Sequence, residues 1–199
     1  MEINMANKKL NGADYLLLLL YLDDGKPIRG AVRLMKMMFL YNKEIAVLLK
    51  NKGLDSDKLP DFYAYDFGAF SKDVYEQVEL FKSIEFITVK NIKADEEMAE
   101  VDDLEDEPFI NEEYLRDTKV RNIDGKYYEY KIAKNGSDFI QNEIIDKSLI
   151  TPEQLEILER FKRKIISLSP KQLLRYTYIK YPEYTINSLI KKEVLGDEQ

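Results

Sequence analysis

The block Phe62-Tyr63-Ala64-Tyr65-Asp66-Phe67-Gly68-Ala69-Phe70-Ser71 does most to limit the folds open to this chain. It sets an aromatic strand and a glycine turn directly before Ser71, whose hydroxyl is suited to capping a helix. A helical stretch follows from Lys72 to Ser83, with Val74, Val78 and Phe81 on one face. Asp73 stands in its first turn, where a negative charge complements the helix dipole. The run Phe86-Ile87-Thr88-Val89 then predicts a strand over 86–92. Strand, turn, cap, helix and strand in this order predict a winged-helix-like core.

The flanking sequence extends that expectation. Residues 12–23 form a helix around the run Tyr15 to Leu22, which is too short to span a bilayer. Asp23-Asp24-Gly25 follows it without a small-residue cleavage pattern, so a buried helix is expected rather than a signal peptide. Residues 31–51 form a second helix, with Leu34, Met38, Tyr41, Ile45 and Leu48 as its apolar stripe and Gly53 as a C-terminal cap. Asp124-Gly125, between Thr118–Ile123 and Lys126–Ala133, predicts a hairpin with Tyr128, Tyr130 and Ile132 on one face. Asn135-Gly136 breaks the second strand, and a helix runs on through Phe139, Ile140, Ile144 and Ile145. Thr151-Pro152-Glu153-Gln154 and Ser169-Pro170-Lys171-Gln172 are two capping boxes with proline at the first helical position. They start helices near 152–167 and 170–180, and Thr185 caps a last short helix over 186–193. The expected fold is α+β and helix-rich. A winged-helix-like core with a small antiparallel sheet occupies 10–149, carries an acidic insertion at 94–117, and is followed by a C-terminal helical extension over 150–199.

Composition narrows the chemistry. The 199 residues include no cysteine and no histidine. Disulfides, thiolate chemistry, zinc-finger ligand sets and a histidine general base are thereby excluded. The sequence has no glycine-rich phosphate loop, calcium loop or nucleophile elbow. No cofactor, no metal, no membrane association and no enzymatic activity are expected, and the cysteine-free chain suits the cytoplasm. The net charge of −7 is unevenly placed. Residues 95–117 hold twelve acids against Arg116 alone, a local charge of −11, which leaves +4 on the rest.

Three segments resemble the Panacea, or SocA-like, antitoxin domain family. Tyr65-Asp66-Phe67-Gly68-Ala69-Phe70-Ser71-Lys72-Asp73-Val74-Tyr75 resembles its "YGPFS–helix" signature. Leu34-Met35-Lys36-Met37-Met38-Phe39-Leu40 resembles its "L-x-K-x-x-Y/F-L" helix, and Tyr128 to Gly136 its closing "Y-x-L-T-x-x-G" strand and turn. Ala69 and Ala133 depart from the usual proline and threonine. The resemblance implies a protein-binding module, often an antitoxin that neutralises a toxin by binding it. It carries over no catalytic residue.

Candidate sites follow from charge and aromatic content. Partner binding falls on the acidic segment through Asp102, Asp103, Glu105 and Asp106, with Phe109 and Tyr114 as apolar anchors, suited to a basic partner such as a toxin. Phe67 and Phe70 join this surface if exposed, and otherwise fill the core. Helix 72–83 is too acidic for the recognition helix of a DNA reader, because phosphate contacts need a basic face. The nucleic-acid alternative, a transcriptional regulator, rests on Arg160, Arg163, Lys164, Lys171 and Arg175, interleaved with tyrosines; a solvated helix face is the plainer account. A remote alternative, a metal-dependent nuclease, rests on Glu129-Tyr130-Lys131 with Asp61 as the earlier acid.

Overall fold

The computed structural model describes residues 9–93 and 126–196. It is α+β, helix-rich, with a small antiparallel sheet. Helix α1 (Gly12–Gly25) starts from a capping box, in which the Asn11 side chain accepts from the amides of Ala13 and Asp14 and the Asp14 carboxylate accepts from the Asn11 amide. Tyr15 to Leu20 are each no more than 1% exposed. A helix apolar on every side must be covered on every side. Helical geometry ends before Leu22, and Asp23 and Asp24 take left-handed conformations that turn the chain into β1 (Ile28–Arg29).

Helices α2 (Ala31–Leu40) and α3 (Ala46–Asn51) are joined by a π-helical turn at Tyr41–Ile45. The sequence predicts one regular helix with its stripe continuing to Ile45 and Leu48. The π turn admits one extra residue and rotates the following turns, so the buried face passes from Tyr41 to Ala46 and Leu49 and leaves Leu48 exposed. Gly53, at φ +82°, ends α3 with paired bonds, Gly53 N–H to Lys50 O and Leu54 N–H to Leu49 O.

Strands β2 (Tyr63–Tyr65) and β3 (Gly68–Phe70) pair as a hairpin, with Tyr63 opposite Phe70. Helix α4 (Lys72–Ser83) follows at the predicted bounds, with Ser71 Oγ accepting from the Val74 amide. Strand β4 (Ile87–Lys93) and strand β5 (Lys126–Ile132) pair along their whole length, Ile87 opposite Ile132 and Lys93 opposite Lys126. Strand β1 takes the other edge of β5 at Tyr130 and Glu129, giving the order β1-β5-β4. The order α1, β1, α2–α3, β2–β3, α4, β4, β5, with β5 central in the three-stranded sheet, is winged-helix-like, and residues 94–125 connect β4 to β5.

Two expectations change in this part of the chain. Both neighbours of Glu129 and Tyr130 are β1 and β4, so the Asp124-Gly125 hairpin does not run the length of β5. Residues 118–125 of that hairpin lie outside the described residues. Gly136 does not break the chain but sits inside helix α5 (Lys134–Ile140), against the Phe86 carbonyl; a Cβ there would lie 2.3 Å from that oxygen. A second π-helical turn, Gln141–Ile145, extends α5.

Helices α6 (Pro152–Ile166) and α7 (Pro170–Lys180) start at the two predicted capping boxes. A 3-10 turn (Pro182–Tyr184) and helix α8 (Lys191–Leu195) close the chain. The helix expected over 186–193 starts only at Lys191, and the Thr185 hydroxyl donates back to Pro182 O instead of capping forward. The C-terminal helices share their core with the elements of 10–149. Leu158, Ile165 and Leu173 lie in one hydrophobic core with α1, and α6 packs along α1. Leu174 and Tyr178 join Phe67, Ile190 and Val194 in a smaller second core under the β2–β3 turn.

Two substitutions test this packing. Leu158→Ala is expected to cost about 2–5 kcal/mol in a single transition seen alike by far-ultraviolet dichroism and tyrosine fluorescence, because α6 and α1 share one core. Gly136→Ala is expected to cost about 1–3 kcal/mol in urea unfolding, since the methyl group meets backbone rather than a yielding side chain.

Candidate functional site

Two of the segments that carry the family resemblance meet inside the protein. Lys36, on α2, is fully buried and donates from Nζ to the Ala69 carbonyl of β3 at 2.8 Å. Burial away from other charges pulls its pKa down to about 7. Gly68, at φ +78°, lies so close that a Cβ would stand 2.8 Å from the Tyr178 ring. The Tyr178 hydroxyl hydrogen-bonds Ser188 Oγ at 2.7 Å. The lysine, the glycine and the tyrosine thus fix the hairpin between α2 and α7. The sequence signal for this was present in Lys36, a lone charge amid Leu34, Met37 and Met38, but it had no partner to name.

Phe67 and Phe70, offered as surface residues, are buried. Phe67 fills the second core, and Phe70 packs with Tyr63 and Tyr65 at centroid distances of 5.6 and 5.3 Å. Tyr63, which sequence reasoning passed over, is the exposed member at 47%. Residues 187–189 run beside β2, with Asn187 Nδ2 donating to Ala64 O and the Leu189 amide to Asp66 O. In this segment Ile186 and Leu189 are 74% and 57% exposed. Asp102, Asp103, Glu105, Asp106, Phe109 and Tyr114 lie outside the described residues.

The basic C-terminal cluster is largely committed to the fold. Lys162, among these residues on α6, is buried and donates to the Leu22 carbonyl at 2.7 Å, which satisfies the end of α1. Burial lowers its pKa to about 8. Arg163 donates to Asp23 Oδ1 at 2.7 Å and to Glu159 Oε1 at 2.8 Å, and that first bond holds the Asp23 carboxyl below the usual range. Arg175 donates to the carbonyls of Val194 and Leu195, ending α8. Arg160 lies 3.8 Å from Glu156. Lys164 and Lys171 are exposed. The tyrosines of the same region serve the π turn: Glu44 accepts from Tyr176, Tyr181 and Lys180 at 2.9–3.1 Å.

The nuclease set is not assembled. Glu129 accepts from Arg29 Nε at 2.9 Å across the β1–β5 pair, while the Asp61 amide donates to Asp73 at the start of α4. Among the described residues no group of acids converges as a metal-holding set, and no helix is long and apolar enough to cross a membrane.

Helix α4 presents Lys72, Glu76, Glu79 and Lys82 outward, with Lys72 3.3 Å from Glu76 and Lys82 4.0 Å from Glu79. Leu80 and Ile84 are 55% and 44% exposed on the same side. Beside them a groove of about 360 Å³ runs between α4 and the 57–60 loop. No family model, curated protein or solved structure matches this chain.

The buried lysine makes stability depend on pH. Its proton is held less tightly in the folded chain, at about 7, than at the ordinary 10.5. The unfolded chain therefore binds more protons between these values, and this contribution to stability rises with pH by about 1.4 kcal/mol per unit across that window and is flat below it. Urea unfolding of the protein and of Lys36→Met at pH 7, 8 and 9 is expected to show the protein gaining on the variant by that slope. Parallel curves would show that Lys36 keeps its ordinary pKa.

Proposed function

We propose that this chain is a protein-binding module, antitoxin-like in acting by occlusion of a partner, and that it works in the cytoplasm. The observation that carries the reading is the exposure of three apolar side chains, Tyr63 on β2 and Ile186 and Leu189 in the segment that bonds to Ala64 O and Asp66 O. Apolar side chains on pre-ordered backbone lose little freedom on docking, which favours association. The resemblance of the Lys36 and Gly68 segments to SocA-like antitoxins points the same way.

The charge of the fold supports a protein over DNA. A winged helix that reads DNA lays the equivalent of α4 against phosphates, and here that helix shows Glu76 and Glu79 beside Leu80. The basic residues that would replace it, Arg160, Arg163 and Arg175, are paired within the chain.

Capture with chemical cross-linking from the cells that encode the protein tests the reading. One stoichiometric protein partner is expected, lost about tenfold or more with Ile186→Lys plus Leu189→Lys. Retardation of duplex DNA at low salt, steeply salt-dependent and abolished by replacing Lys164 and Lys171, would overturn it in favour of a regulator.

A further inference from the structure

The groove beside α4 has a composition that selects its occupant. Its lining combines the apolar Ala13, Leu59 and Pro60 with the acids Asp57, Asp73 and Glu76 and the cation Lys58. Glu76, Leu80 and Ile84 follow one another at four-residue spacing, so the groove opens onto the two exposed apolar side chains along one face. Asp73 has one oxygen engaged by the Asp61 amide, and Glu76 shares its charge with Lys72 at the long distance of 3.3 Å. The lining of the groove thus carries three carboxylates against one ammonium group.

We infer that α4 and this groove form a docking face for a basic amphipathic helix of a partner protein. The partner's leucine-like side chains cover Leu80 and Ile84, and an arginine or lysine enters the groove between Asp57 and Glu76. Apolar contact and charge complementarity act together, as in other helix-in-groove recognition. A free amine satisfies the acids but leaves Leu80 and Ile84 in water. A purely apolar helix covers those two side chains but strands the rim carboxylates. The inference rests on the protein-binding reading and adds to it a second face and the chemistry of the partner.

The test is titration of the isotope-labelled full chain, followed by amide chemical shifts. The probe is a synthetic helical peptide with leucines at i, i+3, i+4 and i+7 and arginines on both flanks. Shifts are expected at residues 57–60, 73–80 and 84, with affinity reduced about tenfold or more by Leu80→Lys or by Glu76→Lys. Both substituted positions are exposed, so dichroism of the variants is expected to match that of the protein. Equal binding of an arginine peptide without leucines, unchanged binding by Leu80→Lys, shifts centred on residues 94–125, or no binding would each overturn the proposal. Shifts centred on Tyr63, Ile186 and Leu189 would overturn it while leaving the protein-binding reading intact. Failure of that broader reading is seen separately, in the capture experiment.

Discussion

Everything else in this fold is arranged around a helix that cannot face water. From Tyr15 to Leu20, α1 has no polar side, and burying a leucine side chain contributes roughly 1.5–3 kcal/mol that is forgone wherever it stays wet. The cover comes from α4, α5, β5 and α6, which come from distant parts of the sequence. The winged-helix elements leave part of α1 for a helix from residues 152–166. This is why the C-terminal helices belong to the core.

Close packing on all sides creates a second problem, since the polar backbone at element ends is buried as well. Two lysines answer it. Lys162 reaches the carbonyls of Leu20 and Leu22 where α1 ends, and Lys36 reaches Ala69 O where β3 meets α2. An unpaired buried carbonyl costs about 1–3 kcal/mol, and burying an ammonium group costs more unless it is bonded. Each lysine therefore binds two distant segments through a group that neither segment can easily release. Polar residues of the first π turn work similarly at the surface, where Asn42 donates to Pro60 O and Glu44 gathers Tyr176, Tyr181 and Lys180.

Local signals in the sequence were legible because they act over a few residues. The caps at Ser71, Thr151 and Ser169 placed three helix starts, and the alternation of Tyr128, Tyr130 and Ile132 placed β5. Features set by contacts at long range were not legible. Nothing in Tyr41–Ile45 announces a π turn, whose geometry follows from what its side chains must reach, and a regular helical period therefore misplaced Leu48. The basic cluster of α6 and α7 looked like one surface because sequence shows charge without showing partners; Asp23 and the ends of α1 and α8 claim Lys162, Arg163 and Arg175. For Phe67 and Phe70 the sequence left surface and core both open, and packing decides for the core, with Tyr63 as the exposed aromatic of that hairpin.

The register of β4 with β5 carries an evolutionary consequence. Lys93 and Lys126 are cross-strand partners, so the 32 residues between them have their two ends anchored at a single pair. For a flexible connection, the free energy of holding two ends together grows only with the logarithm of length, about 0.6 kcal/mol for each doubling. Lengthening or recoding that connection leaves Ile87–Ile132 and the other paired positions as they are. The scaffold can thus be inherited conservatively while its longest connection drifts almost freely in size and charge. Closely related scaffolds can on that basis differ most in the stretch between those two lysines.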